Sequence, residues 1–224
     1  MIMDIHSHTY YSKCGRDDPH AVIDAAIAGG VELFGICDHN HGILDRKREY
    51  KKMLDGLKAE YAGKIRLLCG IEIATLPDYF EVDSKDIADF DYCLIENLGT
   101  EGSLLGDDPI GFIKALGIPA GIAHTDLFGY CERTGRSPGH FMADMADAGI
   151  FWEMNVSYDS IHCYREHSYV KKFFQNAEQQ KVVRDAGMCL SVGFDGHRVE
   201  DYLPDRVKAA CKRVEELGLP FVKL

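Results

Sequence analysis

The chain has 224 residues, 46% of them apolar, which is enough for one large domain with a full core. Its 36 acidic and 25 basic residues leave a net charge of −11, which argues against a nucleic-acid surface, because such surfaces need basic stripes. No apolar run approaches 18 residues and no basic segment leads into an apolar one, so neither membrane spanning nor secretion is expected.

The first segment, "MIMDIHSH", alternates as a short strand. Residues i and i+2 of a strand point the same way, so His6 and His8 present two imidazoles side by side. "DDPHAVIDAAIAGG" then reads as a helix with Asp18 as N-cap, Pro19 at the first helical position and Gly29–Gly30 as the stop. After the run "LFGICDH", Tyr50, Met53, Leu54, Leu57 and Tyr61 share one face at the 3.6-residue period. The runs "RLLCGIEI" and "DYCLIEN" follow. The helix signature recurs in "DDPIGFIKALG" (Asp108, Pro109, Gly117) and in "SPGHFMADMADAG" (Ser137, Pro138, Gly149), with "PAGIAH" between them. "IFWEMN" and "CLSVGFD" precede a final helix whose face is Val207, Cys211, Val214 and Leu217. Seven apolar runs thus alternate with helices. Nearly continuous apolar character is what parallel strands buried on both faces require, and no linker divides the series, so one α/β domain over residues 1–224 is expected.

Eight cysteines, at 14, 37, 69, 93, 131, 163, 189 and 211, form no CxxC pair, and several lie within the apolar runs. Buried free thiols and a reducing, cytoplasmic location are the expectation.

Nearly every run ends on a group able to bind metal or hydrogen-bond: His6 and His8, Asp38 and His39, Glu72, Glu96 or Asn97, His124, Asn155, then Asp195 and His197. In parallel α/β proteins the active site lies at the carboxyl ends of the strands. Imidazoles and carboxylates gathered there point to divalent Zn, Mn or Fe, whereas a set of hydrogen-bonded core histidines leaves the accompanying carboxylates unexplained. Asp38 reads as an orienting partner of a ligand or as a turn residue. His20 and His41 carry no motif and read as loop residues.

"DIHSHT", "GICDHN", "GIEI", "GIAHTD" and "GFDGH", in this order, resemble the motifs of the PHP (polymerase and histidinol phosphatase) family. That resemblance implies a distorted, TIM-like (β/α)7 barrel with two or three divalent metals and, commonly, phosphoester hydrolysis. Carried over by motif, His6, His8, Glu72 and Asp195 hold a first metal, Glu72 bridges to a second that is also bound by His124, and His39 and His197 hold a third. Two positions depart from the family pattern: Lys13–Cys14 stands where the family often has His or Asp, and Glu96–Asn97 where it often has His. Cys14, Glu96 and Asn97 are therefore further candidate ligands.

The implied chemistry is attack on phosphorus by a metal-bridging hydroxide, with Glu72, Asp195 and His197 as the catalytic set. Arg165, Arg198, Asn155 and His162 are the candidates for contacting a substrate phosphate, arginine for its planar donor fork. A small phosphate monoester is the favoured substrate, histidinol phosphate being one candidate. Phosphodiester or phosphotyrosine hydrolysis, C–N hydrolysis and a catalytically silent metal-binding module are the competing readings.

Overall fold

In the computed structural model, which describes residues 1–80, 82–161 and 163–224, seven strands pair in parallel, each with the next in sequence. They are β1 (Met3–Asp4), β2 (Leu33–Ile36), β3 (Arg66–Ala74), β4 (Tyr92–Glu96), β5 (Ala120–Ile122), β6 (Phe151–Asn155) and β7 (Leu190–Gly193). The longer helices between and after them are α1 (Pro19–Ala28), α3 (Lys47–Glu60), α5 (Pro109–Ala115), α6 (Leu127–Thr134), α7 (Pro138–Asp147), α8 (Ser168–Gln175), α9 (Ala177–Asp185) and α10 (Pro204–Glu216); α2 (Asn40–Ile43) and α4 (Ser84–Ile87) are single turns. Ile5 N–H donates to Val192 O at 3.0 Å and Asp195 N–H to His6 O at 2.7 Å, so the chain just beyond β1 meets β7 and the sheet comes round as a nearly closed barrel. This is the (β/α)7 architecture expected. Among the described residues no helix is long and apolar enough to cross a membrane.

The helix starts follow from their caps. The side chains of Asp18, Asp108 and Ser137 accept from backbone N–H groups of the first turn, and proline takes the first helical position each time. Tyr50, Leu54, Leu57 and Tyr61 are buried along the face of α3. All eight cysteines are free, and Cys37, Cys69, Cys93, Cys131 and Cys211 are buried in the core.

Two glycines allow Tyr92 to fill the barrel. A Cβ on Gly35 would fall 2.2 Å from the Tyr92 hydroxyl, and one on Gly70 2.4 Å from its ring. The hydroxyl donates to Ile5 O, reaching from β4 to the end of β1.

Three local expectations change. β1 pairs only over Met3–Asp4, and His6–His8 lies beyond it, held where Ser7 bridges Gly196 and His8 N–H donates to Gly196 O. Glu72 stands within the nine-residue β3 rather than at its end, because β3 outruns β2 and its Glu72 N–H donates to Asp38 O. His20 and His41 belong to α1 and α2 rather than to loops.

Candidate metal centre

His6 and His8 are both fully buried, and their ring orientations are set from outside the cluster. His6 Nδ1 lies 2.6 Å from Glu153 Oε1. In the neutral ring that acceptor keeps the proton on Nδ1 and turns Nε2 into the cluster; burial opposes charge on His6, but Glu153, Asp195 and Glu72 outweigh it and hold its pKa well above the usual imidazole value. His8 Nδ1 lies 3.1 Å from Ser12 Oγ, whose own proton goes to Asp38 Oδ1 at 2.7 Å. His8 is thereby fixed in the same tautomer.

The two Nε2 atoms face each other at 3.2 Å. Asp195 Oδ1 is 3.1 Å from His8 Nε2 and 3.4 Å from His6 Nε2, and Glu72 places an oxygen 3.3 Å from each. Imidazole nitrogens and carboxylate oxygens converging at these separations match a cation's ligand shell, in which an ion takes the place of the proton that His6 and His8 share without it.

Glu72 extends the cluster. Its Oε1 is 3.0 Å from His124 Nε2, and its Oε2 is 2.8 Å from His39 Nδ1, out of line for a hydrogen bond. Glu96 Oε1 stands 3.6 Å from the same His39 nitrogen. Four groups of potential ligands result: His6, His8 and Asp195; Glu72, Glu96 and His124; His39, His41 and Glu96; and His8, His39 and His197. Because His8 has turned Nδ1 to Ser12 and Nε2 to His6, the last group depends on His39 and His197, which also lower the nearby Cys14 thiol.

The electrostatics follow from this crowding. Burial opposes charge on Glu72, but His39 and His6 outweigh it and hold the carboxyl well below its usual range. Burial likewise opposes charge on Asp195, and His6 and His8 reverse the effect. Glu96 is pushed up to about 7 by burial and by Glu72. Burial would raise the Cys14 thiol, yet hydrogen bonds to His197 and His39 bring it down to about 6. Burial and the neighbouring His39 and Lys13 lower His41 to about 4.

Backbone strain collects at the same end of the barrel. Asn97, His124 and Asp195, just past β4, β5 and β7, have φ of 69°, 26° and 57°. Non-glycine residues hold such conformations only where surrounding contacts enforce them. For His124 one such contact is its N–H, which donates to Glu153 Oε2 at 2.8 Å.

A cavity of about 490 Å³ opens beside the cluster, lined by His39, Glu72, Glu96, His124, Asp195 and His197 on one side. Arg165, Glu166, His167 and Ser168, from the segment leading into α8, line it together with Ser157. Arg206 and Lys171 both pair with Glu166.

Of the residues singled out in the sequence, His6, His8, His39, Glu72, Glu96, His124, Asp195 and His197 are brought together, with Cys14 against His39 and His197. Asn97 is not: its Oδ1 accepts from Thr75 N–H and is used up in the turn. Asn155 is buried and donates to Glu153 Oε2 and Asp195 Oδ2, so it braces these two carboxylates instead of facing the cavity. Arg165 lines the cavity, whereas Arg198 pairs with Glu200 and borders a separate small pocket with Ser7 and Tyr202. His162 lies outside the described residues. Asp38 accepts from the backbone and hydroxyls of Thr9 and Ser12, so it anchors the loop that sets His8.

Sequence reasoning missed Glu153, Asp159, His41 and His167. Asp159 accepts from His197 Nδ1 at 3.1 Å, and the His167 ring stacks on His124. A signal for Glu153 was present: it is a charge inside an apolar strand, two positions before Asn155 and so on the same face.

No family model matches the chain, and no curated protein matches it in sequence. Solved structures do share the fold. A histidinol phosphate phosphatase (HisK) from Lactococcus lactis subsp. lactis Il1403, solved with Zn, L-histidinol and phosphate, superposes with a TM-score of 0.67 at 15% identity, over 98% of this chain and 94% of its own. A Listeria monocytogenes protein given as a candidate histidinol phosphatase, HisK, does so with a TM-score of 0.56 at 13% identity, over 88% of this chain and 96% of its own. An N-isopropylammelide isopropylaminohydrolase from Burkholderia multivorans ATCC 17616 reaches 0.52 at 14% identity, over 88% of this chain and 57% of its own.

Proposed function

We propose that this chain is a divalent-metal-dependent hydrolase of PHP type acting on a small phosphate monoester. One observation carries the reading. His6 Nε2 and His8 Nε2, each turned inward by its Nδ1 partner, meet at 3.2 Å with Asp195 and Glu72 oxygens around them, next to an open cavity. The donor set of imidazole nitrogens and carboxylate oxygens fits Zn, Mn or Fe(II).

His6, His8, Asp195 and Glu72 would hold one ion, and Glu72, His124 and Glu96 a second. Glu72 suits the shared position because its two oxygens face different neighbours. A third ion beside His39 completes the centre. His39 has His197 and Cys14 on one side and His41 and Glu96 on the other. Such ions supply an activated water at neutral pH and neutralise the charge on phosphoryl oxygens.

The remaining work falls to the chain itself. Glu153, Ser12 and Asp159 hold the rings of His6, His8 and His197, so that no reorientation is needed during reaction. Arg165 offers a guanidinium to phosphate oxygens from the far wall of the cavity. Asp195 and His197 line the cavity and are the groups assigned here to pass a proton to the departing alcohol. The HisK complex with L-histidinol and phosphate supports histidinol phosphate as the first compound to try. Eight free thiols suit a reducing, cytoplasmic setting.

The test is metal analysis of the purified chain, followed by a panel of phosphate monoesters, phosphodiesters and amides with added Zn, Mn or Fe(II). Bound divalent ions and metal-dependent release of phosphate from monoesters are expected. A chain that binds no divalent ion overturns the proposal, and turnover confined to amides replaces it with C–N hydrolysis.

A further inference from the structure

The segment between β6 and α8 carries Arg165 to the cavity, and among its described residues none is helical or paired in a strand. Its position therefore depends on side chains. The middle of the segment is held from the β7–α10 connection: Ser160 Oγ donates to Asp201 Oδ2 at 2.6 Å, and Asp159 accepts from His197 Nδ1 at 3.1 Å. The end that carries Arg165 is held by Arg206, in the first turn of α10. Arg206 Nε donates to Val156 O at 2.9 Å and Nη1 to Glu166 Oε1 at 2.7 Å, so one guanidinium grips the segment where it leaves β6 and where it enters α8. The same guanidinium lies 5.2 Å from the centre of the Tyr158 ring, and Tyr158 packs on Tyr164, the neighbour of Arg165.

Glu166 lines the cavity, yet its two oxygens pair with Arg206 and Lys171. Its carboxylate thus tethers the residue next to Arg165 to two helices. The Arg206 and Glu166 side chains are only 29% and 24% exposed, so this charge-assisted bond is shielded as a surface pair is not. The rigid donor fork of arginine reaches two acceptors in fixed directions, whereas lysine offers a point charge on a flexible stem. Arg206 is not itself among the described residues that line the cavity.

We propose that Arg206 is a positioning residue for the substrate phosphate: by gripping Val156 and Glu166 together it sets where Arg165 stands, and it acts on phosphate only through Arg165. The proposal rests on the metal-hydrolase reading, in which Arg165 contacts the phosphate.

The test titrates zinc-loaded wild type, Arg206→Met, Arg165→Met and the double variant with inorganic phosphate by calorimetry. Zinc per chain is counted by mass spectrometry, and a thermal melt reports folding. R206M and R165M should each weaken phosphate binding by about tenfold or more. The double variant should bind no more weakly than R165M alone, because effects that pass through one residue do not add. Zinc content should stay at the wild-type level, since Asp159 keeps its own bond to His197. Arg206→Lys keeps the charge without the fork, so it should weaken phosphate as R206M does, and it serves in the same cycle if R206M does not fold. Wild-type phosphate affinity in R206M or R206K, or losses that add in the double variant, overturns the proposal and leaves the hydrolase reading standing. A wild type that takes up zinc but binds no phosphate overturns the phosphate-monoester reading, and the proposal with it.

Discussion

Glu153→Gln is a demanding test of how the centre is held. Glu153 accepts three hydrogen bonds: from His6 Nδ1 at 2.6 Å on one oxygen, and from His124 N–H at 2.8 Å and Asn155 Nδ2 at 3.2 Å on the other. Glutamine has the same shape but only one acceptor oxygen. If its NH2 faces His6, the imidazole must accept, its proton moves to Nε2, and that nitrogen can no longer bind metal. If its NH2 faces His124 and Asn155, two donors lose their partner and the strained His124 backbone loses its anchor. Either way a ligand is disturbed through its outer partner, an effect worth about 10–100-fold in metal affinity, or roughly 1.4–2.8 kcal/mol at 1.4 kcal/mol per factor of ten. The assay is competition for zinc against a chelator of known affinity, with a thermal melt of the metal-free protein as a folding control. A folded E153Q that binds zinc as tightly as the wild type would refute the claim that Glu153 sets the His6 tautomer.

Gly193→Ala should weaken metal binding in the same competition assay, because the new Cβ would fall 2.1 Å from Glu153 Oε1 and 2.5 Å from His6 Cβ; unchanged affinity would mean the strand gives way freely. Replacing His6 and His8 together with alanine should empty the first site and abolish turnover, and wild-type metal content in that variant would sink the assignment. Iodoacetamide at neutral pH should modify Cys14 ahead of exposed Cys163, since its thiol lies at about 6; peptide mapping that finds Cys163 first would contradict this. Burial works against charge on His124 and His197, but hydrogen bonds to Glu72 and Asp159 raise them to about 9 and about 10. Raised histidine pKa values stabilise the metal-free fold fully below the unfolded value, and that contribution disappears as pH climbs through about 9 to 10. The melting temperature of the metal-free protein should therefore fall across that range, and zinc uptake at pH 7 should release protons, measurable with an indicator dye in weak buffer. A flat melting profile would count against the charged state of these histidines.

The sequence by itself determined whatever depends on neighbours within a turn or two. Asp18, Asp108 and Ser137 with the prolines that follow them start helices because capping is a local hydrogen bond. The continuous apolar runs became parallel strands for an equally local reason, since burial on both faces is written into consecutive residues. Helices α6, α8 and α9 were harder to read. α6 opens on Asp126 and α9 on Asn176 while α8 has no side-chain cap, and none of the three carries the Asp–Pro or Ser–Pro start.

Only the tertiary structure decided which ligand atoms are free to bind metal. His6 is separated from its Glu153 partner by 147 positions, and His8, though Ser12 holds its Nδ1 from four positions away, meets Asp195 only across 187. Arg198 shows the converse. It adjoins a candidate ligand in sequence, yet the chain turns its guanidinium to Glu200 and away from the cavity. His41 looked like a stray histidine until α2 set its ring between His39 and Tyr79. A ligand's residue type and strand position are local properties. Its proton, its direction and its partner come from groups that only barrel closure brings within hydrogen-bonding distance.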